Sequence, residues 1–169
     1  MNSRKSVLIR KNKDFIFVSH YLIGRISISD PTQDFNFLPC DIEDLELGNY
    51  ISRKLKNSRI INTEEFNKLF YSNEIKDFTE RLEMKLKKKF NYRNKKLIYK
   101  DMDFVSIDIE GCKLTITPHH QDSLGGFTSV NRQDGKAIEF EYPANLSDEE
   151  LGAAVMEALK YCTSIYKRK

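Results

Sequence analysis

The sequence predicts an α+β fold. It should be an antiparallel β-sheet system packed against helices, in two pseudo-duplicated strands-then-helix halves with a helical insertion between them. Three observations lead there. Apolar residues alternate at period two in short runs near both ends of the chain, and recur at helical spacing between and after those runs. One late helix carries a complete set of start signals. Finally, an offset of 104 residues lays one helix on another: Pro39 on Pro143, Asp44 on Asp148, Glu46 on Glu150, Leu47-Gly48 on Leu151-Gly152, and Leu55-Lys56 on Leu159-Lys160. That makes seven identities in the 20 positions 39–58, with the apolar pairs Ile42/Leu146 and Ile51/Val155 in addition.

The elements follow in order. Residues 6–10 and 14–19 are β-rich, with Ile16 and Val18 alternating against Phe15 and Phe17. Residues 22–28 alternate around Gly24 and read as a third strand. The cluster Asp30-Pro31-Thr32-Gln33-Asp34 is a turn. From about 43 to 58, Leu47, Tyr50, Ile51 and Leu55 mark a helix. Thr63-Glu64-Glu65 caps another, whose stripe of Phe66, Leu69, Phe70, Phe78, Leu82 and Leu86 breaks near Tyr71-Ser72-Asn73. Residues 96–100, 104–110 and 113–118 read as strands, 121–136 as a loop or hairpin holding Gly125, Gly126 and Gly135, and 137–142 as a further strand. The final helix runs from Ser147 to about Tyr166. Ser147-x-x-Glu150 is a capping box, in which hydroxyl and carboxylate each satisfy an orphan N–H. Leu151, Ala154, Val155, Ala158, Leu159 and Cys162 form its apolar face, and Lys167-Arg168-Lys169 suits the negative end of its dipole. The expected organisation is one domain over 1–169, with halves at about 6–58 and 95–166 and the insertion at about 59–92.

Composition narrows the function. Eleven Phe and eight Tyr in 169 residues exclude a disordered chain. Three dispersed cysteines, Cys40, Cys112 and Cys162, lack any C-x-x-C spacing, so they read as small buried hydrophobes in a reducing cytosol. The apolar run Val7-Leu8-Ile9 is too short for a signal peptide, and no stretch approaches the roughly 20 residues of a membrane span. A cytoplasmic location is expected. The net charge of +3 conceals a strong pattern. Residues 1–13 carry five bases and no acid; 14–80 carry 12 acids against 7 bases; 81–100 carry nine bases against Glu83; 101–169 carry 12 acids against 7 bases. Such asymmetry bears on partners more than the total does.

Residues 95–162 resemble the C-terminal half of the contact-dependent growth inhibition immunity protein family. The likeness rests on Lys95-Lys96-Leu97, Met102, Val105-Ser106-Ile107, the run from Gly111 through Lys113-Leu114-Thr115-Ile116-Thr117-Pro118-His119-His120, Asp122-Ser123-Leu124, and Glu150 to Val155 with Ala158-Leu159. Phe37-Leu38-Pro39, Leu47-Gly48 and Ser58-Arg59 extend it to about 15–162. Phe127, where members often place Trp, and Asn49-Tyr50 depart from the pattern. The resemblance implies a cytosolic inhibitor, not an enzyme, with no catalytic residue, cofactor or metal. Its partner would be the C-terminal toxin domain of a large surface effector, often a nuclease, bound 1:1 with its active site covered. The interface expected is of standard size, about 1,200–2,000 Å².

Candidate contact residues are Asp41, Glu43, Asp44 and Glu46 in one acidic segment, and Gln121, Asp122, Arg132, Asp134 and Lys136 in the 121–136 loop. Six acids and no base lie within 30–46, and again within 139–157. Such clusters either imitate RNA phosphates at a basic nuclease cleft or answer helix dipoles. His119 and His120 beside Asp122 raise a metal or nuclease reading. Adjacent strand residues point to opposite faces, so the expectation is one His packed inward and the other capping the loop. The alternative function is a nucleic-acid-binding module using 81–100, where Phe90, Tyr92 and Tyr99 interleave with the bases. No phosphate-loop or nucleophile-elbow motif occurs.

Overall fold

The computed structural model describes residues 3–167. The chain opens with a hairpin of β1 (Arg4–Lys11) and β2 (Ile16–Ile23), followed by β3 (Ser27–Ser29) and β4 (Phe37–Leu38). Helix α1 (Asp44–Asn57) leads into β5 (Arg59–Ile60). Three helices then interrupt the sheet: α2 (Thr63–Phe70), α3 (Glu74–Phe90) and α4 (Lys95–Tyr99). A second hairpin of β6 (Asp103–Glu110) and β7 (Lys113–Gln121) precedes β8 (Phe127–Ser129), β9 (Phe140–Pro143), α5 (Asp148–Leu159) and β10 (Thr163–Ser164). The two hairpins join edge to edge through antiparallel β1 and β6, so one sheet runs through the described chain.

The pairing registers carry a two-fold pattern. Adding 98 to the pair Val7↔His20 gives Val105↔Pro118. Each strand that follows repeats the relation: Ile16↔Leu38 corresponds to Leu114↔Tyr142, and the parallel pair Leu22↔Arg59 to His120↔Thr163. Residues of the first hairpin map with 98, and those of β4, α1 and β5 with 104. At the central seam Leu8 faces Ser106, its own counterpart.

Helices α1 and α5 cover the same sheet face. Val7, Ile9, Ile16, Val18, Val105, Ile107, Leu114 and Ile116 supply the sheet side of this core, and Leu47, Ile51, Leu151 and Val155 the helix side. The helices cross with their first turns in contact. A Cβ on Gly48 would lie 1.6 Å from the Asp148 carbonyl oxygen, and one on Gly152 1.8 Å from that of Asp44. Only glycine permits this approach. Asn49 and Ser52 donate to the Asp148 carboxylate at 3.1 and 2.8 Å, tying α1 to the start of α5.

The opposite sheet face is treated unequally. On the first hairpin it carries Phe15 and Phe17, which pack with Phe37 under Phe78, Leu82 and Leu86 of α3 and Ile98 of α4. On the second hairpin the counterparts of Phe15 and Phe37 are Lys113 and Glu141. Where the first half has an edge-on ring pair at 5.6 Å, the second has an ion pair at 3.3 Å.

Several sequence expectations need correction. Residues 22–28 are not one strand: the chain turns at Gly24, where the glycine N–H donates to the Ile26 carbonyl, separating β2 from β3. The strand expected at 96–100 is instead helix α4 over Lys95–Tyr99, because the Asn94 side chain accepts from Leu97 N–H and nucleates it, burying Ile98. The final helix ends at Leu159, so Lys167 reaches Asp103 instead of the helix dipole; Arg168 and Lys169 lie outside the described residues. The strand expected at 137–142 is shortened to Phe140–Pro143, with Ala137 only bridged to Asn131. Among the free cysteines only Cys162 is buried, while Cys112 is exposed. The capping box of Ser147 and Glu150 forms with both hydrogen bonds.

Two outcomes follow from this packing. Gly48→Ala should destabilise the protein by about 3 kcal/mol in urea unfolding, because backbone stands where the new methyl must go. Gly125→Ala, which meets nothing within 4 Å, should stay within about 0.5 kcal/mol of the parent. The second outcome concerns Asp30, whose carboxylate takes a 2.8 Å bond from His20 and two more from the Thr32 hydroxyl and N–H. The His20 bond, with those of Thr32, holds its carboxyl well below the usual carboxylate range. Its contribution is therefore complete above the unfolded-chain value of about 4 and is lost as pH falls below it. Unfolding free energy measured from pH 5 down to pH 3 should drop less steeply in Asp30→Asn than in the parent.

Candidate partner-binding surface

The two candidate segments leave the sheet at the same end. Lys11 pairs with Ile16 on one side and Asp103 on the other. The chain from β4, paired to Ile16–Phe17, runs on from that end into the acidic segment. The 121–136 loop leaves β7 there too, since Val105 faces Pro118 and β7 ends three residues later.

The acidic segment is free. Asp41, Glu43 and Glu46 are exposed and Asp44 is half-buried, with the apolar Leu45 60% exposed among them. Glu43 occupies the N-cap of α1 without a side-chain cap bond. None of the four acids joins an ion pair among the described residues, though Asp44 and Glu46 favour the positive end of α1. The second acidic cluster is committed to structure instead. Glu150 closes its capping box, Asp148 is held by α1, Glu141 pairs with Lys113 and Glu157 with Lys160. Geometry thus divides two clusters that are alike in sequence.

The loop divides as well. Arg132, Asp134 and Lys136 are exposed on a tight hairpin tip: Arg132 N–H donates to the Lys136 carbonyl at 2.8 Å, and Gly135 takes φ 82°. Asp122 is also exposed. Gln121 is not a surface residue and that expectation is corrected: its exposure is 0%. Its Nε2 donates to the Tyr99 carbonyl at 2.6 Å and its Oε1 accepts from Ser164 at 2.7 Å, fastening the loop base to α4 and β10.

The histidines take opposite faces. His119 lies against the edge of the Phe104 ring with Nε2 3.1 Å from the Ser106 hydroxyl, and burial pushes its pKa down. His120 meets Thr163 at 2.7 Å and so ties β7 to β10. Among the described residues no group of three or more His, Cys, Asp or Glu is placed to hold a metal ion. In the basic segment the aromatic rings are turned inward. Phe90 stacks on Phe15, the Tyr92 hydroxyl donates to Asp14, and that of Tyr99 to Glu83. They do not form a platform for bases.

Sequence reading missed a cleft of about 420 Å³ between α3–α4 and the open half of the sheet. Phe104 and Phe127 stack at 4.0 Å in its floor, and Arg10 lines it from the sheet. The signal was present: Arg10 shares the strand parity of Leu8, which places it on this face.

Solved structures share the fold. A Neisseria meningitidis protein of unknown function, NMB0488, matches with TM-score 0.83 at 22% identity, over 94% of this chain and 95% of that one. A chain of the CdiA-CT/CdiI toxin and immunity complex from Yersinia pseudotuberculosis matches with TM-score 0.80 at 22% identity, over 96% and 98%. These share the α+β architecture. In sequence, the Immunity protein CdiI-YPIII of Yersinia pseudotuberculosis serotype O:3 (strain YPIII) is 25% identical over 168 residues, spanning 91% of this chain and 93% of that protein. Residues 5–162 match the family described as CDI immunity protein (CdiI), and the chain belongs to that family.

Gln121→Ala should lower stability by about 2 kcal/mol, since the Tyr99 carbonyl and Ser164 hydroxyl lose a buried partner. Arg132→Ala on the exposed tip should change it by less than about 0.5 kcal/mol. Paired thermal and urea melts separate the two.

Proposed function

We propose that this protein binds the C-terminal toxin domain of a contact-dependent growth inhibition effector and neutralises it in a 1:1 complex in the cytoplasm. The toxin is a nuclease, and binding masks its active site. Family membership across 5–162 is the observation that carries this reading. The Yersinia structure described as a toxin and immunity complex supports it as a likeness.

Contact is made by Asp41, Glu43, Asp44 and Glu46, with Asp122 and the tip residues Arg132, Asp134 and Lys136. These four acids, in no ion pair among the described residues, form a negative field that a basic nucleic-acid cleft attracts, raising the association rate and disfavouring wrong partners. The acidic segment links β4 to α1 and Asp122 directly follows β7, so these contacts are anchored on paired elements and less ordering entropy opposes binding.

Co-expression with the adjoining effector's toxin domain should restore growth, and the purified pair should form a 1:1 complex. Reversing Asp41, Glu43 and Glu46 to Lys should weaken binding at least about tenfold, and shrink the loss of affinity on raising salt. A toxin that still kills co-expressing cells, and does not bind the pure protein, would refute the reading.

A further inference from the structure

The cleft on the open half of the sheet holds an unanswered charge. Arg10 lies mid-sheet on β1, opposite Phe17 of β2 and Phe104 of β6, so its stem runs between two rings. Its guanidinium stands 5.9 Å from the centre of the Phe17 ring and lines the cleft. Among the described residues it makes no hydrogen bond and no ion pair. Arginine offers five N–H donors in a fork that fits a carboxylate. Arg10 is half-buried, and its guanidinium faces the cleft beside an apolar bed.

The other charges in the cleft are already matched. Glu83 is buried, accepts from the Tyr99 hydroxyl at 2.8 Å, and pairs with Lys95 at 3.3 Å. One net positive charge remains, above a floor of Met102, Phe104, Leu124 and Phe127. Leu124 and Phe127 belong to the same 121–136 loop whose tip carries Arg132 and Lys136. The cleft wall therefore shares its loop with Asp122, one of the residues proposed to meet the toxin.

We infer that this cleft is the anchor pocket of the complex and receives an Asp or Glu side chain of the toxin domain, with its carboxylate paired to Arg10 and its stem on Phe104 and Phe127. The inference rests on the toxin-binding reading above. An arginine set in aromatic surroundings and sealed from water by a partner is the kind of residue that dominates interface energetics. The acidic segment then governs encounter, and the cleft governs residence time.

The test is calorimetric titration of the toxin domain into the full-length protein. Arg10→Gln should raise Kd at least about 30-fold, with an unchanged unfolding midpoint. Gly125 lines the mouth of the cleft, and a side chain there meets nothing within 4 Å. Gly125→Asp should therefore fold, place a competing carboxylate at the mouth of the cleft, and weaken binding at least about tenfold. Arg10→Glu should be rescued by an Asp→Arg or Glu→Arg change in the toxin. If the parent binds and Arg10→Gln binds within about twofold of it, the inference is overturned and the toxin-binding reading stands. Should Arg10→Gln fail to fold, Gly125→Asp decides on the same criterion. If the parent does not bind, both are overturned.

Discussion

The architecture depends on a backbone contact: the first turn of α1 against the first turn of α5, glycine to carbonyl in both directions. Helices packed through larger side chains sit about 8–10 Å apart. Removing both Cβ atoms at the crossing lets two helices share one sheet face without leaving a gap between them. That shared face ties the two hairpins into one core, because Leu47, Ile51, Leu151 and Val155 reach across the β1–β6 seam from above. The seam is bonded through eight residue pairs, from Arg4↔Glu110 to Lys11↔Asp103. Neither hairpin could bury its apolar face as fully alone.

Symmetry holds on the helix-covered face and fails on the other. The first hairpin places Phe15 and Phe17 where the second has Lys113 and Thr115, so α3 and α4 can cover only the first. The uncovered half borders the cleft, and the loop from β7 closes one wall of it. The features that distinguish this chain's surface thus come from departures from the repeat. They rest on strands whose registers the repeat fixes, which gives the residues proposed for contact a stiff base.

Much of this was legible in the residues themselves. The pairing of Leu47-Gly48 with Leu151-Gly152 pointed to two like helices, and Ser147 with Glu150 marked where one begins. The acidic segment and the hairpin tip were identifiable because charge and turn chemistry are local properties. What escaped was set by tertiary partners. Leu97-Ile98-Tyr99 has β-like composition, yet Asn94 caps a short helix and Ile98 finds a dry site under it. Gln121 looks like a loop residue, and its burial depends on Tyr99 and Ser164, both more than 20 positions away. Arg10 reads as one base among five, until strand parity and the Phe17 and Phe104 rings beside it are known.

The two offsets, 98 for the hairpins and 104 for the helices, differ by six residues, and the whole surplus lies between β7 and β9. Two of the six lengthen the turn before β8, and four lengthen the stretch that forms the exposed tip around Gly135. Chain length has thus been added where no ladder register changes. A loop of this kind can grow, shrink or be exchanged between lineages while the sheet beneath stays in register. In an arms race between paired molecules, this is the part of the scaffold on which selection can act most often without endangering the fold.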